Sequence, residues 1–265
     1  MKSVIYLCIN LAWAEERRCS IAEQAEQLGI DIQLVEAVAG KDLTPEQRAC
    51  YDSSLTKRYY NYHLTDNEIA CTLSHRKALE TFLAGDAQYA VVLEDDAILS
   101  PHFREGIHEL THHLHGWEVA KLNLPSRSTR HTRPISLPSG VGCSPHIEPV
   151  FSTRIGSEAV GFVYTRHAAQ VLSEGLRHFY LPADSMIGQL ILDKQIPTIA
   201  LRPELVSQVH SGFLSTIESN DSAVRGAESR RNLLQYLRHR LRAWRNNLLR
   251  RKLYRVVQRT LYREG

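Results

Sequence analysis

The sequence predicts an α/β fold with a mostly parallel central sheet and a basic helical tail. Three observations carry that prediction. Short apolar runs of strand length alternate with stretches of helical period from the first residues onward, which is the pattern of βαβ units. One such run, Ala90 to Leu93, ends abruptly in Glu94, Asp95 and Asp96, and in open α/β sheets ligands bind at the carboxyl ends of strands. From Arg225 onward the chain changes character, with 13 Lys and Arg residues against two acids.

Val4 to Leu11 is an apolar run interrupted at Asn10, as a buried first strand would be. Glu15 to Leu28 places Ile21, Ala25 and Leu28 at helical spacing and stops at Gly29, which suits a left-handed cap. Ile32 to Val38 alternates and breaks at Gly40-Lys41, so the opening reads β-α-β. Thr44-Pro-Glu-Gln has the form of a capped helix start, whereas the Tyr-rich segment from Tyr51 to Tyr62 has no readable period. Thr65-Asp-Asn-Glu68 is a capping-box pattern that opens a helix to Leu83, with Ile69, Leu73, Ala78, Leu79 and Phe82 facing inward. Ser74 and His75 lie within it, where packing or a back-bonded hydroxyl is the ordinary reason for such a pair.

Pro101 to His115 reads as a helix with five histidines. His108 and His112, at i and i+4, suit zinc, but without a third ligand at a recognisable spacing a solvated polar face is preferred. Val119 to Leu124 is a short strand. Pro125 to Ser157 holds five of the ten prolines and is either disordered or a binding loop and lid. Glu158 to Tyr164 is a strand, followed by a helix from Arg166 to Leu176. Asp184 follows a Pro-bearing turn before the apolar run Ile187 to Leu192, where a helix N-cap alone would account for it. Pro197 to Leu201 is the last strand and leads to His210. The organisation is a domain over 1–217, with 125–157 as loop or lid, and a tail over 225–265.

The tail carries Leu233, Leu237, Leu241, Trp244 and Leu248 at helical spacing, which makes an amphipathic Arg-rich helix of roughly 50 Å. Its charge balance of +11 faces a body of −8, so the tail is built for an anionic surface. A Trp anchor and the acidic body favour a membrane surface over nucleic acid or a partner protein. No stretch approaches the roughly 20 apolar residues of a membrane span, and the expected location is cytoplasmic, peripheral on a membrane. Five widely spaced cysteines without a CxxC pair indicate neither a disulfide framework nor a zinc site.

Three adjacent acids at a strand end repel one another unless a positive charge sits among them. A divalent cation shared with a phosphate ligand would supply it; a solvated acidic turn is the alternative. Five motifs in order then bear on the choice: Ile9-Asn10-Leu11 with Glu16-Arg17-Arg18; Val35-Glu-Ala-Val38 with Gly40-Lys41; Glu68 with Cys71-Thr-Leu-Ser74-His75; Val92-Leu-Glu-Asp-Asp-Ala97; and Pro182-Ala-Asp184. Together they resemble glycosyltransferase family 25, the bacterial lipopolysaccharide and lipooligosaccharide enzymes related to collagen galactosyltransferases.

The resemblance implies a GT-A-like, Rossmann-type nucleotide-sugar-binding fold, a UDP-sugar donor (often UDP-galactose), a divalent metal (Mn²⁺ or Mg²⁺), a lipid-linked oligosaccharide acceptor and inversion at the sugar. By that analogy Glu94 and Asp96 flank the metal, with His210 as a further ligand, and Asp95 points to a ribose or a backbone amide. Asn10, Arg17, Ser74 and His75 fall among the donor-binding positions, and Asp184, with Glu158 second, is the candidate general base. The competing classes are a non-catalytic membrane or carbohydrate adaptor and a metal-dependent phosphohydrolase.

Overall fold

The computed structural model describes residues 3–59, 62–124, 134–137, 145–153, 155–208 and 233–262. The opening is the β-α-β unit that the sequence predicts: β1 (Val4–Asn10), α1 (Glu15–Leu28) and β2 (Ile32–Glu36), the two strands pairing in parallel. Gly29 closes α1 in the left-handed region at φ 60°, a conformation glycine adopts without steric cost. Two short helices, α2 (Pro45–Ala49) and α3 (Ser53–Tyr59), lead to α4 (Asp66–Ala84). Both capping boxes form, Thr44 with Gln47 and Thr65 with Glu68.

β3 (Tyr89–Glu94) pairs in parallel with β1 and brings Glu94 level with Ile9. After it come β4 (Ala97–Leu99), α5 (Phe103–His113), β5 (Val119–Lys121), β6 (Ile135–Ser136), β7 (Glu148–Phe151) and β8 (Gly161–Thr165). The chain continues with α6 (Arg166–Gly175), α7 (Ala183–Lys194), β9 (Thr198–Arg202), β10 (Val206–Gln208) and α8 (Leu233–Tyr262).

The sheet order is β2-β1-β3-β8-β5-β9-β7-β6, and only β7 and β8 run against the common direction. β1 and β3 read as near-continuous apolar runs because helices cover both faces; Leu7, Cys8 and Ala90 to Leu93 are buried. The carboxyl ends of β1, β2 and β3 come level at Asn10, Glu36 and Glu94. That edge carries the candidate site.

Two features differ from the sequence expectation. The Pro-rich stretch expected to be wholly loop contributes β7 and β6 to the edge of the sheet. Pro149 stands opposite Leu201 of β9, and on its other side the pairs with the edge strand β6 reach only Val150 and Phe151, so the proline lies where the outer ladder has ended. The helical tail, expected as an appendage, is partly core: Leu253, Val257 and Leu261 are buried, while Leu241 and Trp244 are each 64% exposed. On α5, His108 is exposed and stacks on His112 with ring centroids 4.2 Å apart, but His112 is half-buried and its Nε2 is buried without a partner, so the solvated reading describes His108 and not His112.

Candidate active site

Glu94, Asp95 and Asp96 form the turn between β3 and β4, and each acid has a different environment. Gln24 of α1 braces the turn: its Nε2 donates to the Ala97 carbonyl at 3.1 Å, and its Oε1 accepts the Leu99 N–H at 2.7 Å. Asp95 is neutralised within the protein, accepting from Arg17 Nη1 and Asn10 Nδ2 at 2.9 Å each. With both partners largely buried, this pair fixes the turn. In place of the backbone amide expected as its protein partner, Asp95 meets two side chains of the first βα unit. Arg17 still lines the cleft above it.

Glu94 Oε1 lies 3.2 Å from Nε2 of His75, which is 3% exposed. Ser74, one residue earlier on α4, accepts the Val38 N–H and donates to the Ala70 carbonyl, both at 2.8 Å. Its hydroxyl fastens the loop after β2 to α4, as a back-bonded serine does.

Asp96 is the least satisfied of the three. Its Oδ2 accepts from Gln208 Nε2 at 2.8 Å, and its Oδ1 is buried without a partner. Burial first, and the Glu94 charge second, push its carboxyl above the usual range. A buried carboxylate oxygen that faces another acid and finds no donor has the environment of a cation ligand. The residues present therefore fit a divalent metal at Glu94 and Asp96. Cys71, one helical turn before His75, forms a group with His75 and Glu94 whose ligand atoms lie within 4.8 Å of one another. Burial, then the charges of Glu94 and Asp184, push that thiol well up. A protonated thiol is a poor ligand and Mn²⁺ or Mg²⁺ prefers oxygen, so the carboxylate pair is the better seat. His210 lies outside the described residues.

Around the acids is a cleft of about 320 Å³. Its lining combines apolar residues, Ile9, Leu11, Trp13, Ala37 and Val38, with the charged and polar Glu94, Asp95, Asp96, Arg17 and His75. Lys41 Nζ sits 4.3 Å from the centroid of the Trp13 ring.

Asp184 stands in the first turn of α7, and Pro182, not Asp184, occupies the cap position. Its Oδ2 accepts the Glu158 N–H at 3.3 Å, and its Oδ1 accepts the Ser185 N–H. Burial raises its carboxyl, these amides lower it, and Glu94 adds to the rise. Glu158 has φ 56°, the left-handed region that non-glycine residues avoid. Its carbonyl accepts from Asn123 Nδ2 at 3.2 Å, and Lys121 donates to the preceding Ser157 carbonyl. The end of β5 and the start of α7 thus hold the 157–158 turn in place.

Sequence reasoning missed Cys71, Gln208 and Trp13. The i, i+4 spacing of Cys71 and His75 was a usable signal. Gln208 had none, because it meets Asp96 only through the antiparallel pairing of β10 with β4, where it stands opposite Ala97.

Comparisons with known proteins bear on the family. The model described as "Glycosyltransferase family 25 (LPS biosynthesis protein)" matches residues 3–187, a span that runs from β1 into α7. The chain belongs to glycosyltransferase family 25. A "Glycosyltransferase 25 family member" of Aedes aegypti is 30% identical over 44% of this chain and 20% of that protein. "Procollagen galactosyltransferase 1-B" of Xenopus laevis is 32% identical over 43% and 19%. The chain thus spans about a fifth of those relatives' length. A Haemophilus influenzae protein named "Putative glycosyltransferase" is 22% identical over 87% of this chain and 81% of its own. A solved glycosyltransferase involved in glycosylation of the major capsid of PBCV-1 aligns over 75% of this chain at 11% identity and a TM-score of 0.38. No helix among the described residues is long and apolar enough to cross a membrane.

Proposed function

We propose that the protein transfers a sugar from a nucleoside-diphosphate sugar to a saccharide acceptor of the lipopolysaccharide type, with inversion. The observation that carries the reading is the orphaned Asp96 oxygen beside Glu94 at the carboxyl end of β3. The procollagen galactosyltransferase relatives favour UDP-galactose as donor, and the family's description favours a lipopolysaccharide acceptor. The base of the nucleotide packs against the Trp13 ring and Val38, and the diphosphate lies toward the acids.

Glu94 and Asp96 would hold Mn²⁺ or Mg²⁺, and the charge of such an ion would stabilise the departing diphosphate. Arg17 and Asn10 keep Asp95 paired, so the turn keeps its shape when the acids beside it meet the donor. Asp184 takes the proton from the acceptor hydroxyl while the acceptor oxygen forms its bond to the anomeric carbon and the bond to the diphosphate oxygen breaks. One carboxylate is enough for such a single displacement. The exposed outer face of α8 holds the enzyme on an anionic membrane where a lipid-linked acceptor resides.

The test is a panel of UDP-sugars with purified protein and Mn²⁺. Transfer or slow hydrolysis of UDP-galactose that stops with EDTA supports the reading. Metal-independent UDP binding without turnover would point to an adaptor, and release of inorganic phosphate with no sugar moved to a phosphohydrolase.

A further inference from the structure

Cys71 and His75 have no task in the proposed transfer. They stand one turn apart on α4, so both side chains leave the same face of the helix. That face meets the carboxyl end of β3, where Glu94 Oε1 lies 3.2 Å from His75 Nε2. With the Cys71 Sγ these atoms form a group that lies within 4.8 Å of one another, and all three residues line the cleft of about 320 Å³. Among the described residues it is the one place where three side chains of metal-binding type converge.

The donor set decides which ion fits. Thiolate sulfur and imidazole nitrogen suit Zn²⁺, whereas Mg²⁺ and Mn²⁺ prefer oxygen. One thiolate, one carboxylate and one neutral imidazole carry two negative charges, so a divalent ion leaves this partly buried group neutral. In a tetrahedral zinc site the nitrogen and oxygen ligands stand roughly 3.3 Å apart, and the sulfur roughly 3.6 Å from either. The His75–Glu94 separation of 3.2 Å is already close to that value. An ion can therefore replace their hydrogen bond with little movement, and the sulfur has at most about 1 Å to close. Three protein ligands, reached by solvent through the cleft, leave a fourth position open.

We propose that Cys71, His75 and Glu94 bind Zn²⁺, the Cys71 thiol giving its proton to solvent as the ion enters. This site differs from the oxygen seat at Glu94 and Asp96 but takes Glu94 from it, so Zn²⁺ at one excludes Mn²⁺ or Mg²⁺ from the other. Zinc is thereby an inhibitor of the proposed transfer. The inhibition rests on the transferase reading, and the zinc site does not.

The test is titration of the metal-free full chain with Co²⁺, which enters zinc sites and absorbs in the near ultraviolet when a thiolate binds it. An equimolar amount should give a saturable band that Zn²⁺ removes and excess Mg²⁺ does not. Cys71→Ser should lose the band, and Cys19→Ser, whose thiol is exposed on α1, should keep it. His75→Gln and Glu94→Gln should each weaken Co²⁺ binding more than about 100-fold, whereas Asp96→Asn should keep the band, which tells this site from the oxygen seat. Melting without metal identifies a variant that fails to fold, and protection of Cys71 from alkylation by Zn²⁺, read by peptide mass in the wild type, needs no variant. No band in the wild type, a band that survives Cys71→Ser, equal Co²⁺ affinity in the His75 and Glu94 variants, or alkylation unchanged by Zn²⁺ would overturn the site. UDP binding with Mn²⁺ in the same samples separates the two readings. Zn²⁺ should abolish it in the wild type, and Cys71→Ser should need more than about 100-fold more Zn²⁺. UDP binding that persists in the zinc-loaded wild type would overturn the exclusion, whereas a cobalt band without any Mn²⁺-dependent UDP binding would support the zinc site and count against the transferase reading.

Discussion

At Asp184 burial holds the carboxyl above its ordinary value against the pull of the Ser185 and Glu158 amides. A folded-state value above the unfolded one means that the protonated acid stabilises the fold below about pH 4, and that this contribution is lost as the pH rises through the folded value. At neutral pH the ionised group therefore costs stability. Asp184→Asn keeps only one acceptor for the Glu158 and Ser185 N–H groups and should lower kcat about 10²- to 10⁴-fold. An unchanged kcat would contradict the role of Asp184 as the base. In the wild type, kcat/KM should fall as the pH drops through the raised Asp184 value. At the neighbouring Glu158, backbone and side chain can be separated. Glu158→Ala and Glu158→Gly both remove the carboxylate, but only glycine relieves the positive φ, so denaturant unfolding should find the glycine variant more stable by about 1–2 kcal/mol.

Among the elements, α7 and α8 set the geometry around Asp184. A methyl group at Gly188 would meet the Gly156 backbone, which has no flexible end to yield. Gly188→Ala should cost about 1–3 kcal/mol and displace the 156–158 segment, lowering kcat while calorimetry shows UDP affinity unchanged, because the cleft proposed for the donor is lined from β1, β3 and α4 and not from α7. On α8 the buried residues Leu253 and Val257 lie on one side, and Leu237, Leu241, Trp244 and Leu248 on another that is exposed. Removing the whole helix would therefore strip the core along with the exposed apolar face. Leu241→Glu with Trp244→Glu is the cleaner variant: co-sedimentation with phosphatidylglycerol vesicles should fall several-fold with the melting temperature unchanged, and undiminished binding would place membrane contact elsewhere. The elements legible in the sequence were those with a local signal, such as α1 with its Gly29 stop and α4 with its capping box. α8 was legible as a helix, but not its docking, because periodicity reveals two apolar stripes without saying which one meets the body.

Across the whole molecule, the parallel arrangement of β1, β2 and β3 gathers residues distant in sequence at one sheet edge, and the sequence conveyed that edge better than its contents. Glu94 and Asp96 could be read as a pair because a strand ending in acids is a local pattern. That Asp95 is tied to Asn10 and Arg17 could not be, since the contacts cross about eighty residues. Cys71 escaped for another reason: within an apolar helix a cysteine reads as a small hydrophobe. β7 was hidden by Pro149, because a proline ordinarily argues against a paired strand. The central claim is that the pairing leaves Asp96 without the positive partner that Asp95 has. Calorimetric titration of UDP into the protein, with Mn²⁺ and with EDTA, tests it most directly when Asp96→Asn is run beside the wild type. The account predicts wild-type binding that requires Mn²⁺ and is weakened in the variant by more than the roughly 10- to 100-fold that loss of an outer-shell partner costs. Equal UDP affinity with Mn²⁺ and with EDTA, or an unaffected Asp96→Asn protein, would contradict it.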